Sequence, residues 1–219
     1  MRILAVDTAT EACSAALLCG GEIIERYRLD PRGHSRRLMP MIEALLAEAG
    51  VIRADLDGIA YDRGPGSFTG IRIGAGVAQG LALGLNRPLL GLSSLTALAE
   101  EVKGDRVLSA IDTRMGEVYW AKMKRDPDQV TGWSLLCEAT VSDPSKVPAL
   151  ESGEIGTGSG WDRYHATLCP GSAASKKWLP ERFPRAAAVA RLAGRVWSSD
   201  GFGSTLQTEP DYVRDQVTG

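Results

Sequence analysis

Two acidic residues of this 219-residue chain stand in matching places: Asp7 ends the apolar run "ILAVD", Asp112 ends "VLSAID", and a threonine follows each. A carboxylate at the tip of a buried strand can orient a metal-bound water beside a phosphate. It can equally accept hydrogen bonds from the turn that follows. Phosphate-cradling turns place glycine close behind the acid so that backbone N–H groups reach the oxygens, whereas "DTATEA" and "DTRMGE" offer nothing nearer than Gly116. The loop "GPGSFTG" enters a helix, where backbone donors favour anions, but it lacks the lysine and following hydroxyl of a P-loop. His34 and His165 form no H-E-x-x-H or H-x-x-x-H pair, and no serine sits in G-x-S-x-G. The chain therefore offers no assembled catalytic set, no metal site and no cofactor motif.

Composition narrows the classes further. With 44% hydrophobic and 24% charged residues the chain can build a globular core, and a formal charge of −2 argues against an autonomous nucleic-acid binder. Arg32, His34, Arg36 and Arg37 form the one local basic run, which reads as a solvated face or as a contact to phosphate. Cys13, Cys19, Cys137 and Cys169 show no C-x-x-C spacing and read as reduced thiols. Asp7 and Glu11 interrupt any signal-peptide core and no run reaches eighteen apolar residues, so a cytoplasmic protein is expected.

The elements that must position these residues follow from patterning. "ILAVD" and the two runs of "CSAALLCGGEIIERYRLD", joined at Cys19-Gly20-Gly21, predict three strands. "SRRLMPMIEALLAEAG" repeats apolar residues at helical spacing and stops at Gly50, with Pro40 at the first turn or a kink. "LDGIAYDRGPG" predicts a strand running into a loop, and "RPLLGLS" and "SLTALAEEV" predict a further strand and helix. "RVLSAIDTRMGEVYWAKMKRD" repeats the opening, so two related lobes are expected, residues 1–104 and 105–219, with the last residues packing back on the first. Beyond residue 126 the pattern weakens into turn-rich segments until "PRAAAVARLAGRVWSSDG" predicts another helix. The alternation defines an α/β architecture.

The predicted helix from Phe68 to Leu85 carries Gly70, Gly74, Gly76, Gly80 and Gly84. Each costs about 1 kcal/mol against alanine, on the order of 4 to 5 kcal/mol in all. Its clearly polar side chains from Ile71 onward are Arg72 and Gln79, so it must be covered nearly all round. Small residues at 70, 74, 78 and 82, and again at 76, 80 and 84, would let another helix approach closely, and dispersion contacts can offset the glycine cost.

A strand, an acidic turn, a hairpin and a second copy of that pattern resemble the actin-like ATPase fold. A more specific resemblance is carried by "RGPGSFTGIRIG" together with "MRILAVDTATEACSAAL", "HSRRLMPMI", "AQGLALG", "AIDTRMGEVYWA", "GTGSGW" and a late "PDYVR". On these motifs, strongest over residues 1–125, the chain closely resembles the bacterial TsaB (YeaZ) family. The resemblance implies an actin-like fold of the Hsp70 and actin type with two related lobes. It further implies a part in placing threonylcarbamoyladenosine beside the anticodon of tRNAs that read codons starting with A.

In that family TsaC supplies threonylcarbamoyl adenylate, TsaD carries the metal and the transfer chemistry, and a small ATPase, TsaE, joins them. TsaB is the subunit without a catalytic site, which agrees with Asp7 and Asp112 as degenerate phosphate-turn positions. The resemblance favours a helix-bundle interface at Phe68, Thr69, Gly70, Ile71, Gly74, Val77, Ala78, Leu81 and Leu85, used for a homodimer when free and for pairing with TsaD. Arg32, Arg36 and Arg37 are the candidate tRNA contacts, reached through the complex. An actin-like ATPase or kinase, or a glycoprotease-like peptidase, are the competing classes.

Overall fold

The computed structural model describes residues 1–169, 177–200 and 202. The "PDYVR" motif at 210–214 and the expected return of the last residues to the first lobe lie outside the described residues.

The first sheet begins with β1 (Arg2–Asp7), β2 (Ala12–Cys19) and β3 (Glu22–Leu29), an antiparallel meander. Next come α1 (His34–Ala49), β4 (Gly58–Gly64), α2 (Phe68–Leu85), β5 (Leu89–Ser93) and α3 (Ser94–Glu100). β4 lies parallel to β1 and β5 parallel to β4, giving the order β3-β2-β1-β4-β5. The second sheet repeats this plan with β6 (Arg106–Asp112), β7 (Val118–Arg125), β8 (Trp133–Leu135), β9 (Thr140–Ser142), β10 (Glu154–Thr157), α4 (Ser159–Leu168) and β11 (Lys177–Leu179). Its order is β11-β10-β6-β7-β8, with β6 and β7 antiparallel and β10 and β11 parallel to β6. Each sheet thus has a central strand flanked by its own hairpin on one side and two parallel strands on the other. This is the two-lobed actin-like α/β plan that the sequence repeat predicts.

The side-chain alternation of β1 explains the layers. Leu4 and Val6 point to one face, where they pack with Leu38, Ile42 and Leu45 of α1 and Ala75, Ala78 and Ala82 of α2. Ile3 and Ala5 point to the other face, into a core shared by both sheets, α3 and α5 (Ala186–Asp200). On the far side of the second sheet α4 buries Trp161 against Leu108 and Ala110. α1 runs through Pro40, which sits on its exposed side, so no buried carbonyl is orphaned there.

α5 comes from the second half of the chain but lies across the first sheet. Its N-terminal N–H groups meet acceptors there: Ala186 donates to Ser14 Oγ at 2.8 Å and Ala187 to the Glu25 carboxylate at 2.9 Å. A carboxylate at a helix N-terminus is the favourable sign for the helix dipole. The other end is tied by the buried Glu100 carboxylate, which accepts from Arg195 at 2.6 Å and from Trp133 Nε1 at 2.8 Å.

Candidate functional site

Between the sheets, the turn after β1 faces the turn after β6 across a cleft of about 340 Å³. Ala9, Thr10 and Glu11 line one wall and Ile111 through Met115 with Tyr119 the other, while Gly66, Ser67, Phe68 and Ile71 close the end at α2. The two turns are built alike. Asp7 Oδ1 accepts from the Ala9 N–H at 2.8 Å, and Asp112 Oδ1 accepts from the Arg114 N–H at 2.9 Å. Both acids therefore brace the residue two places on, as Asx turns do. Arg114 takes a left-handed backbone conformation (φ 62°) that carries its side chain across the cleft to Glu11 at 2.6 Å.

Neither acid stands free at the cleft. Asp7 is fully buried and does not line it. Beside it in the next strand lies Asp62, also buried, whose Oδ1 accepts from the Gly64 N–H and the Ser94 hydroxyl. Burial, and after it the Asp62 carboxyl, pushes the Asp7 carboxyl well above the usual carboxylate range. Burial also pushes Asp62 up to about 6, against the opposing hydrogen bonds from Ser94, Gly64 and Asp7. Asp112 reaches the cleft edge but is engaged by Arg163 at 3.6 Å and the Tyr164 hydroxyl at 3.3 Å. Asp62 was missed in the sequence, although "IAYD" offers the same signal as "ILAVD", an acid at the end of an apolar strand.

α2 spans Phe68–Leu85 as the pattern predicts, with Ser67 Oγ capping the Gly70 N–H at 3.3 Å. It is the one described helix whose length and mean hydropathy of 1.2 suffice to cross a membrane, and a third of it is buried within the chain. The expected interface residues divide. Gly70, Ile71, Gly74 and Ala78, four of the expected partner contacts, are buried inside the chain. A β-carbon at Gly70 would lie 2.1 Å from the Thr8 carbonyl oxygen, and one at Gly74 2.6 Å from Thr8 Oγ1. This stripe is small because the turn after β1 presses against it. Val77, Leu81 and Leu85 are half-buried, flanking the core under α1, and Phe68 and Thr69 are exposed. A β-carbon on the second stripe, Gly76, Gly80 and Gly84, would meet nothing within 4 Å among the described residues. Leu83 is 86% exposed beside it.

The basic run also divides. His34 is buried, its Nε2 3.1 Å from the Ala12 carbonyl, and Arg37 pairs with Asp30. Arg32 and Arg36 are exposed.

Comparison with known proteins agrees with this architecture. A family model described as TsaD, tRNA N6-adenosine threonylcarbamoyltransferase, matches residues 28–137. The tRNA threonylcarbamoyladenosine biosynthesis protein TsaB of Escherichia coli (strain K12) is 38% identical, over 99% of this chain and 96% of its own. That of Haemophilus influenzae is 36% identical, over 100% and 95%. Among solved structures, YeaZ from Pseudomonas aeruginosa superposes with a TM-score of 0.84 at 38% identity, over 96% of this chain and all of that one. A second Pseudomonas aeruginosa structure, described as similar to peptidase YeaZ, gives 0.86 at 38%, over 97% and 99%. The chain belongs to the bacterial TsaB (YeaZ) family.

Proposed function

We propose that this chain is the noncatalytic partner subunit of the machinery that makes threonylcarbamoyladenosine in tRNA. It pairs with and activates TsaD, associates with itself when free, and joins TsaE and tRNA through the complex, in the cytoplasm. The observation that carries this reading is the outward face of α2, where Leu83 and the Gly76, Gly80, Gly84 stripe are uncovered by the described residues on an apolar helix. Glycines there leave a shallow surface on which a second helix can seat closely, and Leu83 supplies apolar area beside it. The absence of a catalytic role is supported by the two turn acids, one walled in beside Asp62 and one engaged by Arg163 and Tyr164. The lobes are taken as 1–104 and 105–219 because the two sheets share no strand, and α5 then couples the second lobe to the first.

Reconstituted modification with purified TsaC, TsaD, TsaE, tRNA, threonine, bicarbonate and ATP tests the reading. Modification should depend on adding this chain, and sedimentation should show it bound to TsaD. Undiminished modification without it would overturn the proposal. The cleft favours one second reading, an ATPase, since it lies between the paired turns. Calorimetry with ATP and magnesium separates the two, and tight stoichiometric binding by the chain alone would favour the ATPase.

A further inference from the structure

The buried acids Asp7 and Asp62 belong to no role described above. β1 and β4 run parallel with Val6 opposite Tyr61, so the next residues, Asp7 and Asp62, project side by side on one face. One oxygen of each is satisfied: Asp7 Oδ1 by Ala9, and Asp62 Oδ1 by Gly64 and Ser94. The other two, Asp7 Oδ2 and Asp62 Oδ2, are buried and receive no donor among the described residues. The register sets the two carboxyl groups next to each other, and a hydrogen bond between them raises Asp7 and lowers Asp62. Two carboxylates here would repel in a low dielectric with both oxygens bare, whereas one proton between them satisfies both at once.

We propose that Asp7 and Asp62 share a single proton at neutral pH, Asp7 donating to Asp62, and that this bond positions the turn after β1 against the N-terminus of α2. The inference is independent of the partner reading. Its mechanical basis is short. Thr8 Oγ1 donates to the Gly70 carbonyl at 2.7 Å, and the Ser67 N–H donates to the Ala9 carbonyl at 2.7 Å. A shift of Asp7 therefore moves both ties to the helix. On the face of the pair lie Glu25 and Tyr27 on β3, the Ser94 hydroxyl at the start of α3 and Arg185, which pairs with Glu25, while Arg63 on β4 and Cys13 on β2 project to the other face of the sheet. Asp62 accepts from two donors, the Gly64 N–H and the Ser94 hydroxyl, and Asp7 from one, the Ala9 N–H, so Asp62 is the better-stabilised anion and the proton is assigned to Asp7.

Chemical denaturation of the full chain between pH 6.5 and 8 tests the proposal on wild type, Asp7→Asn, Asp62→Asn and the double variant. Folded wild type holds a proton that the unfolded chain releases, so its folding equilibrium should weaken about tenfold per pH unit relative to Asp7→Asn. The asparagine amide donates the same hydrogen bond without titrating, so each single variant stays folded. The double variant sets two amide nitrogens face to face and should lose more than the sum of the singles. Hydrogen exchange at Ala9 and Ser67 should quicken in Asp7→Ala and return to wild-type protection in Asp7→Asn, which a loss of packing alone would not give. Parallel pH profiles for wild type and Asp7→Asn, or additive singles, would overturn the shared proton. Should the variants not fold, carboxyl carbon NMR of aspartate-labelled wild type at pH 7.5 decides. One protonated carboxyl is expected, and a fully ionised set overturns the proposal.

Discussion

The Thr8 hydroxyl donates to the carbonyl of Gly70 at 2.7 Å, across 62 residues of sequence. The same threonine fills the space that side chains at Gly70 and Gly74 would need. The start of α2 is thus held by the turn after β1, and its glycines there serve contact within the chain.

Stability should therefore separate the two glycine stripes. Gly70→Ala puts a β-carbon onto the Thr8 backbone oxygen and should cost about 2 to 3 kcal/mol despite the gain in helix propensity. Gly80→Ala meets nothing among the described residues and should stabilise by up to about 1 kcal/mol. Urea unfolding of both variants checks this, and equal midpoints would remove the close-contact explanation.

Association should respond in the opposite way. Leu83→Glu and Gly80→Trp alter the outward face alone, so circular dichroism should show an intact fold. Self-association and binding to TsaD should each weaken by about 2 kcal/mol or more, roughly thirtyfold. Sedimentation velocity measures both. Wild-type affinity in folded variants would move the interface elsewhere.

In the second sheet, Glu154 is almost fully buried and paired with Lys122 at 2.9 Å, and it accepts from the Glu151 N–H at 2.8 Å. Burial works to raise its carboxyl, but the Glu151 N–H and Lys122 outweigh it and hold the group below the usual range. A carboxyl depressed in the folded state contributes stability above the unfolded value that is lost as pH falls through the folded one. Lys122→Met removes the buried cation and leaves Glu154 only the half-exposed Arg106 at 3.2 Å as a charged partner, and should cost about 3 kcal/mol at neutral pH. That corresponds to roughly 6 to 12 °C in melting temperature, and the deficit should shrink under acid conditions. A deficit that is constant with pH would rule out the charge as its cause.

For tRNA, the exposed Arg32 and Arg36 are the testable members of the basic run, because Arg37 is paired with Asp30. If both meet phosphate, replacing them with alanine should lower the salt slope of tRNA binding by the assembled complex by about 0.9 or less per contact. Filter binding across a salt series reads this directly. An unchanged slope would return both residues to solvated surface.

Local pattern determined a good deal on its own. The bounds of α2, the opening meander, α1 with its Gly50 stop and the repeated strand-acid-threonine turns were legible, because periodicity and capping act over a few residues. β8, β9, β10 and β11 were not, since strands of three or four residues carry too little alternation to stand out from the turns around them. Tertiary structure alone decided which stripe of α2 faces inward. Gly74 and Gly76 sit roughly 200° apart on the helix and are equally small, so nothing local ranks them. Thr8, brought in from the first strand, chooses the inner stripe. The pairing of Asp7 with Asp62 was equally invisible in sequence, because parallel register joins residues that only the crossover through α1 brings side by side.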